Sequence, residues 1–203
     1  ILDGQEITFF KEHKRARMIG RLFQDPMKGT APNLTIEENL ALAYARGQRR
    51  GIGIAINEKD RQLFRRELAR FDMGLEDRMK TKVGLLSGGQ RQAVTLLMGT
   101  IVPPKLLLLD EHTAALDPAA AQKVLGITRD IVQREQLTTL MITHNIQSAL
   151  SMGTRTIMMN AGRIVLDISG EQRAQMTVPR LLELYNSAAG AALNTDRVLL
   201  QQT

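Results

Sequence analysis

Apolar and polar positions alternate along this chain in two ways: short apolar runs, and apolar residues at helical spacing. Residues 1–9 read as a strand and a turn, and Met18 to Phe23 as a short strand that ends at Gln24-Asp25-Pro26. Met27 to Asn33 is rich in Gly, Pro and Asn and reads as loop. Thr35-Ile36-Glu37-Glu38 has the form of a capping box, because the Thr hydroxyl and the Glu three residues on can satisfy the first helix N–H groups. A helix is predicted from there to about Arg46. Gly47 to Asn57 is a basic, glycine-containing loop. Glu58 to Phe71 places Leu63, Phe64, Leu68 and Phe71 near helical spacing, as an amphipathic helix does.

The second half is more regular. After Gly84, a Ser87-Gly88-Gly89 turn opens a helix from about Gln90 to Ile101, which Pro103-Pro104 stops. Lys105 to Asp110 is a near-continuous apolar run, the pattern of a parallel strand buried on both faces. Asp117 and Pro118 suit the cap and first position of a helix, which runs to about Arg134. Thr138 to Thr143 reads as a second buried strand, ending at His144. Arg155 to Asn160 and Arg163 to Ile168 flank Ala161-Gly162, a hairpin signal. Residues 179–186 and 190–200 read as short helices. No internal repeat or low-complexity segment appears.

Strand–helix–strand alternation between 105 and 144 predicts an α/β fold with a parallel sheet. In such sheets ligands sit at the carboxyl ends of the strands. Asp110, Glu111 and His144 all fall at those ends, so they group into one candidate site.

Composition narrows the class. The 203 residues are about one domain's worth, 43% apolar and 24% charged, which is globular rather than disordered. Aromatics make up 3% and Trp is absent, so the core rests on aliphatic side chains and ten Met. With thioethers but no Cys or His cluster, the tract around Met152, Met158 and Met159 reads as core filler. The absence of Cys excludes a disulfide framework and thiolate metal sites. No apolar run approaches the roughly 18 residues of a membrane span, so a membrane role would come through a partner. The net charge of +6 is spread and interleaved with acids, without aromatic platforms for bases, so it reads as a solvated surface. The chain opens inside Ile1-Leu2-Asp3-Gly4-Gln5-Glu6-Ile7, an element-like stretch, and reads as truncated at its N-terminus.

The chemistry sits in two motifs. A Ser-Gly-Gly turn at a helix start points backbone N–H groups and the positive end of the helix dipole at an anion such as phosphate. A strand ending in two acids places carboxylates where a phosphate-bound metal and an attacking water would sit. Together they suggest nucleotide hydrolysis. Alone, each has an ordinary explanation as a helix cap or a strand-end acid pair.

In combination, Leu86-Ser87-Gly88-Gly89-Gln90-Arg91-Gln92 resembles the signature motif of the ATP-binding cassette (ABC) ATPases. Leu106 to Leu109 followed by Asp110-Glu111 resembles the Walker B motif of the same family. The resemblance runs from Ile1 to about Glu171. It implies a P-loop NTPase-like parallel core (residues 1–24 and 101–172), an inserted helical signature subdomain (25–100) and a helical tail (173–203). It implies ATP and Mg2+ as ligands, with Asp110 holding the metal through its water shell and Glu111 acting as general base. Gln24 resembles the Q-loop glutamine that meets metal and water, and His144 the switch histidine that contacts the γ-phosphate. Ser87, Gly88, Gly89, Gln90 and Asp117, the last in a D-loop-like Ala115-Leu116-Asp117, would complete a nucleotide site across a dimer. The implied partners are a membrane permease, a second ATPase subunit and a substrate-binding protein, not nucleic acid. The implied place is the cytoplasmic face of the membrane, and the wording around Asp110 hints at amino-acid-type uptake.

Two departures stand out. His112 occupies a position where the family ordinarily has proline, and it reads as a surface substitution or a ligand. The phosphate loop, G-x-x-x-x-G-K-S/T, is absent from the 203 residues. These residues alone are therefore expected to bind ATP poorly and hydrolyse none, and the strands beside the missing one are expected to expose apolar flanks. A non-catalytic fragment, or a soluble relative acting on nucleic acid or ribosomes, stays open as an alternative.

Overall fold

A one-turn helix, α1 (Glu12–Arg15), and not a strand, is the first regular element of the computed structural model, which describes residues 1–46 and 56–188. Residues 1–9 form no strand. Leu2 and Gln5 pair across a tight turn in which Asp3 and Gly4 both take positive φ. The apolar residues there are too few, and the turn too early, for a ladder to extend.

The expected elements then follow in order. Strand β1 (Ile19–Leu22) leads into a 3-10 turn at Pro26–Gly29. Helix α2 (Ile36–Tyr44) starts on the predicted box, with Thr35 accepting from the Glu38 N–H and the Glu38 side chain accepting from the Thr35 N–H. Helix α3 (Glu58–Ala69) has a second such box between Asn57 and Asp60. The basic loop predicted between α2 and α3 lies largely outside the described residues. Helix α4 (Gly88–Thr100), strand β2 (Leu106–Asp110), helix α5 (Pro118–Arg134) and strand β3 (Thr139–Ile142) complete this part. The predicted strands β4 (Arg155–Asn160) and β5 (Arg163–Ser169) follow, with two short helices that the sequence pattern did not predict, α6 (Ile146–Ser151) before them and α7 (Gly170–Ala174) after them. Residues 178–188 are helical, and the helix predicted at 190–200 lies outside the described residues.

The chain divides into two compact units, Ile1–Ile142 and Thr143–Thr203. In the first, β1, β2 and β3 form a parallel sheet in that order. Its register pairs Leu22 with Leu109 and Asp110 with Ile142, so β1 and β2 finish level with each other. One core links the sheet residues Leu22, Leu107 and Leu109 to the helical residues Ile36, Phe64 and Leu96.

The strands are less buried than the apolar runs suggest. On β2, Leu107 and Leu109 are buried while Leu106 and Leu108 are only half-buried. On β3, Leu140 and Ile142 are 54% and 52% exposed. Alternate strand residues face opposite sides of a sheet, and β3 is an outer strand among the described residues with one face uncovered.

Gly20 explains how α4 lies so close to β1. A Cβ at Gly20 would stand 2.7 Å from the Gly99 carbonyl oxygen, and one at Gly99 would stand 2.9 Å from Leu22 Cδ1. Two residues without side chains thus let helix backbone and strand backbone meet.

The second unit is built on the predicted hairpin. Ala161 and Gly162 both take positive φ, the requirement of a tight two-residue turn between antiparallel strands. The Arg173 guanidinium donates to the carbonyls of Leu150 and Met152, which end α6 (2.8 and 2.6 Å).

Candidate functional site

The sheet register assembles the first cluster. Gln24 lies two residues past Leu22, and Glu111 two past Leu109, in paired strands that end together. Their side chains meet: Gln24 Nε2 donates to Glu111 Oε2 at 3.4 Å. Asp110, the last residue of β2, faces Arg21 of β1, with Nη2 to Oδ2 at 3.6 Å. The Arg21 guanidinium also lies over the Phe23 ring, 4.6 Å from its centroid. Sequence reasoning missed Arg21; its signal was a cation in an otherwise apolar strand.

Glu111 has φ of 47°, a left-handed backbone that non-glycine residues rarely adopt. Its N–H donates to the Ile142 carbonyl (3.0 Å), and its own carbonyl accepts from the Ala114 N–H (2.9 Å). This turn lifts the carboxylate off the strand end beside Gln24.

His112 is not on the surface. It is 2% exposed, and its Nε2 lies 3.1 Å from Thr128 Oγ1 on α5. The Thr128 hydroxyl gives its proton to the Val124 carbonyl at 2.8 Å, so its oxygen is left to accept from Nε2–H. Burial pushes the imidazole pKa down to about 4, which keeps the ring neutral. The run of apolar residues through α5 hides Thr128 as a polar partner, so the sequence offered no pointer to this pair.

The second cluster gathers at the starts of α4 and α5. Ser87 caps α4: its Oγ accepts from the Gln90 N–H and its N–H is bonded by Gln90 Oε1, each at 3.3 Å. Gln90 Nε2 also donates to the Met73 carbonyl at 3.3 Å. Gln90 is thus held within its own subunit by a capping box and a loop contact, a role the sequence reading did not assign. A Cβ at Gly88 would stand 3.2 Å from Leu116 Cδ2, and one at Gly89 would stand 2.9 Å from Ala120 Cβ. The glycines therefore let the two helix starts pack together, while Ser87 and Gly88 stay exposed. Asp117 caps α5, accepting from the Ala120 N–H at 2.9 Å, and is also exposed.

His144 belongs to the second unit, two residues after β3, and is exposed. The structure thus joins Gln24, Asp110 and Glu111 directly and brings Ser87, Gly88, Gly89 and Gln90 to the start of α5 near Asp117.

Among the described residues, no group of three or more His, Cys, Asp or Glu side chains is placed to hold a metal alone. Mg2+ commonly takes only one or two carboxylates, with the rest from phosphate and water. Asp110 and Gln24 carry hard oxygen donors beside each other at the ends of paired strands, and the Asp110 carboxylate is partly open to solvent. The residues present fit such an ion.

A family profile described as ABC transporter matches residues 1–114. A tyrosine transport ATP-binding protein of Clostridioides difficile is 41% identical over 187 residues, covering 92% of this chain and 74% of the relative. A thiamine import ATP-binding protein of Salmonella typhimurium is 34% identical over 148 residues, covering 73% of this chain and 59% of the relative. The ATP-binding cassette MJ0796, solved as a dimer in a post-hydrolysis state bound to ADP and Pi, superposes with a TM-score of 0.68 at 24% identity, covering 83% of this chain and 71% of its own. That likeness shows the P-loop NTPase fold. The matched stretch includes Gln24, the Ser87–Gln90 turn and the Asp110–Glu111 pair, and with the 41% identical relative it shows that the chain belongs to the ATP-binding cassette (ABC) transporter family.

Proposed function

We propose that the protein is the ATP-hydrolysing subunit of an importing ABC transporter with amino-acid-type cargo. The observation that carries the proposal is the contact of Gln24 with Glu111 beside Asp110, at the ends of paired parallel strands. The similarity to a thiamine import subunit supports the import reading, and that to a tyrosine transport subunit supports amino-acid-type cargo.

In this reading Glu111 accepts a proton from a water that Gln24 helps to orient. The water oxygen bonds to the γ-phosphorus as the bond to the β,γ-bridging oxygen breaks, releasing ADP and phosphate. Asp110 would hold a Mg2+ ion, which when bound would offset phosphate charge. His144 contacts the γ-phosphate. Ser87, Gly88 and Gly89, at the start of α4, and Asp117 serve the nucleotide of a second subunit. Gln90 supports that turn through its bonds to Ser87 and Met73.

The same reading assigns residues 25–100 to a helical subdomain that meets a membrane permease. Residues 1–24 and 101–172 belong to the core, and 173–203 to a tail. A substrate-binding protein on the far side of the membrane would deliver cargo. The subunit would work at the cytoplasmic face, and no described helix is long and apolar enough to cross the membrane.

Glu111→Gln in the complete polypeptide tests this. Hydrolysis is expected to fall by about 10²–10⁴-fold, and an ATP-dependent dimer should accumulate in sedimentation runs. Near-normal turnover would remove Glu111 as the base, and a monomer in saturating ATP would remove the shared site.

A further inference from the structure

We infer that His112 is a positioning residue, holding Glu111 in its working geometry by tying the end of β2 to Thr128 on α5. The inference rests on Glu111 being the general base. Its own support is geometric. Left-handed backbone at a glutamate costs free energy and persists only where neighbours over-determine it. Two of the constraints on Glu111 are backbone bonds, to Ile142 and Ala114. The next residue supplies a third kind, a side chain locked in the interior.

The His112 ring is buried, and so is Thr128. Thr128 is itself fixed, because its proton is committed to the Val124 carbonyl inside α5. The Nε2–H to Oγ1 bond therefore pins the backbone at 112 to a helix rather than to a movable side chain. One peptide unit separates this anchor from the Glu111 backbone. The same helix begins at Asp117 and packs its first turn against Gly88 and Gly89. Helix α5 is thus a common frame for the acid at the end of β2 and for the Ser-Gly-Gly turn. A shift of the Glu111 backbone relative to that turn would have to break the His112–Thr128 bond or drag α5 with it.

Thr128→Val keeps the shape of the residue and removes the acceptor. In the complete polypeptide it should lower kcat about tenfold or more, as misplacement of a reacting group does. KM for ATP should stay within about twofold, since ground-state binding is untouched. Thr128→Ser, which restores the hydroxyl, should recover most of kcat. A purely structural pair would instead lower the urea midpoint and leave kcat per folded molecule unchanged, and that outcome overturns the inference. If Thr128→Val does not fold, His112→Gln and His112→Leu replace it: the amide can still donate to Thr128 and the leucine cannot. A higher kcat for the glutamine variant supports the inference, and equal values overturn it. Glu111→Gln run alongside separates the two levels. If that variant turns over normally, the base assignment fails and the positioning role with it. If it is inactive while Thr128→Val is normal, only the positioning role fails.

Discussion

A histidine buried against a threonine hydroxyl records folding in its proton affinity. His112 stays neutral in the folded chain down to about pH 4, whereas a solvated histidine takes its proton near 6.5. Between those values the unfolded chain binds more protons, so stability must fall as pH falls. The full effect is about 3 kcal/mol, reached near pH 4. Urea unfolding of the nucleotide-free protein at pH 7 and pH 4.5 should show a larger acid loss for wild type than for His112→Gln, which does not titrate. Equal losses would place the histidine in solvent. At this scale the sequence was legible for side chains whose roles are local. Ser87, Asp117 and Thr35 cap helices as their spacing predicts, because a cap needs only the next turn of its own helix. It was silent on Arg21 and Thr128, whose partners lie on other elements.

Between elements, close approach decides more than apolar content. The α4–β1 contact depends on Gly20, where an added Cβ would meet the Gly99 carbonyl oxygen at 2.7 Å. Backbone cannot retreat as a flexible side chain can. Gly20→Ala is therefore expected to cost about 1–3 kcal/mol, the range for overpacking a filled interior. Chemical denaturation measures this directly, and a midpoint equal to wild type would mean that α4 shifts freely. The strand expected at residues 1–9 failed at this scale too, since a strand needs a neighbour and the Leu2–Gln5 turn closes on itself. The burial expected for Thr138 to Thr143 failed throughout, with alternate residues exposed and the others only half-buried, because an apolar run does not say how many layers cover a sheet.

At the scale of the molecule, the three-stranded order β1-β2-β3 brings Gln24 beside Glu111 although 86 residues lie between them in the chain. The same order leaves β3 at an edge of the sheet among the described residues, with Leu140 and Ile142 exposed. The 203 residues hold the acid pair, the glutamine and the signature turn, but no phosphate loop. Purified as they stand, they are expected to show no Mg-ATPase activity above a Glu111→Gln control, since no lysine reaches the β- and γ-phosphates. Phosphate release by the 203-residue polypeptide well above that control would show that hydrolysis needs no such loop here.

The sequence by itself determined the longer helices and the strands from Ile19 onward, their caps, the hairpin and the family, because these depend on contacts within a few residues or on contiguous motifs; the short helices α1, α6 and α7 escaped it. Only the tertiary structure decided which face of β3 is bare, that Arg21 faces Asp110, and that His112 is buried against Thr128. Strand register and helix docking set those distances, and neither is encoded in any single stretch of the chain. His112 marks the boundary: its position next to Glu111 is read from the sequence, and its reach to α5 exists only in the fold.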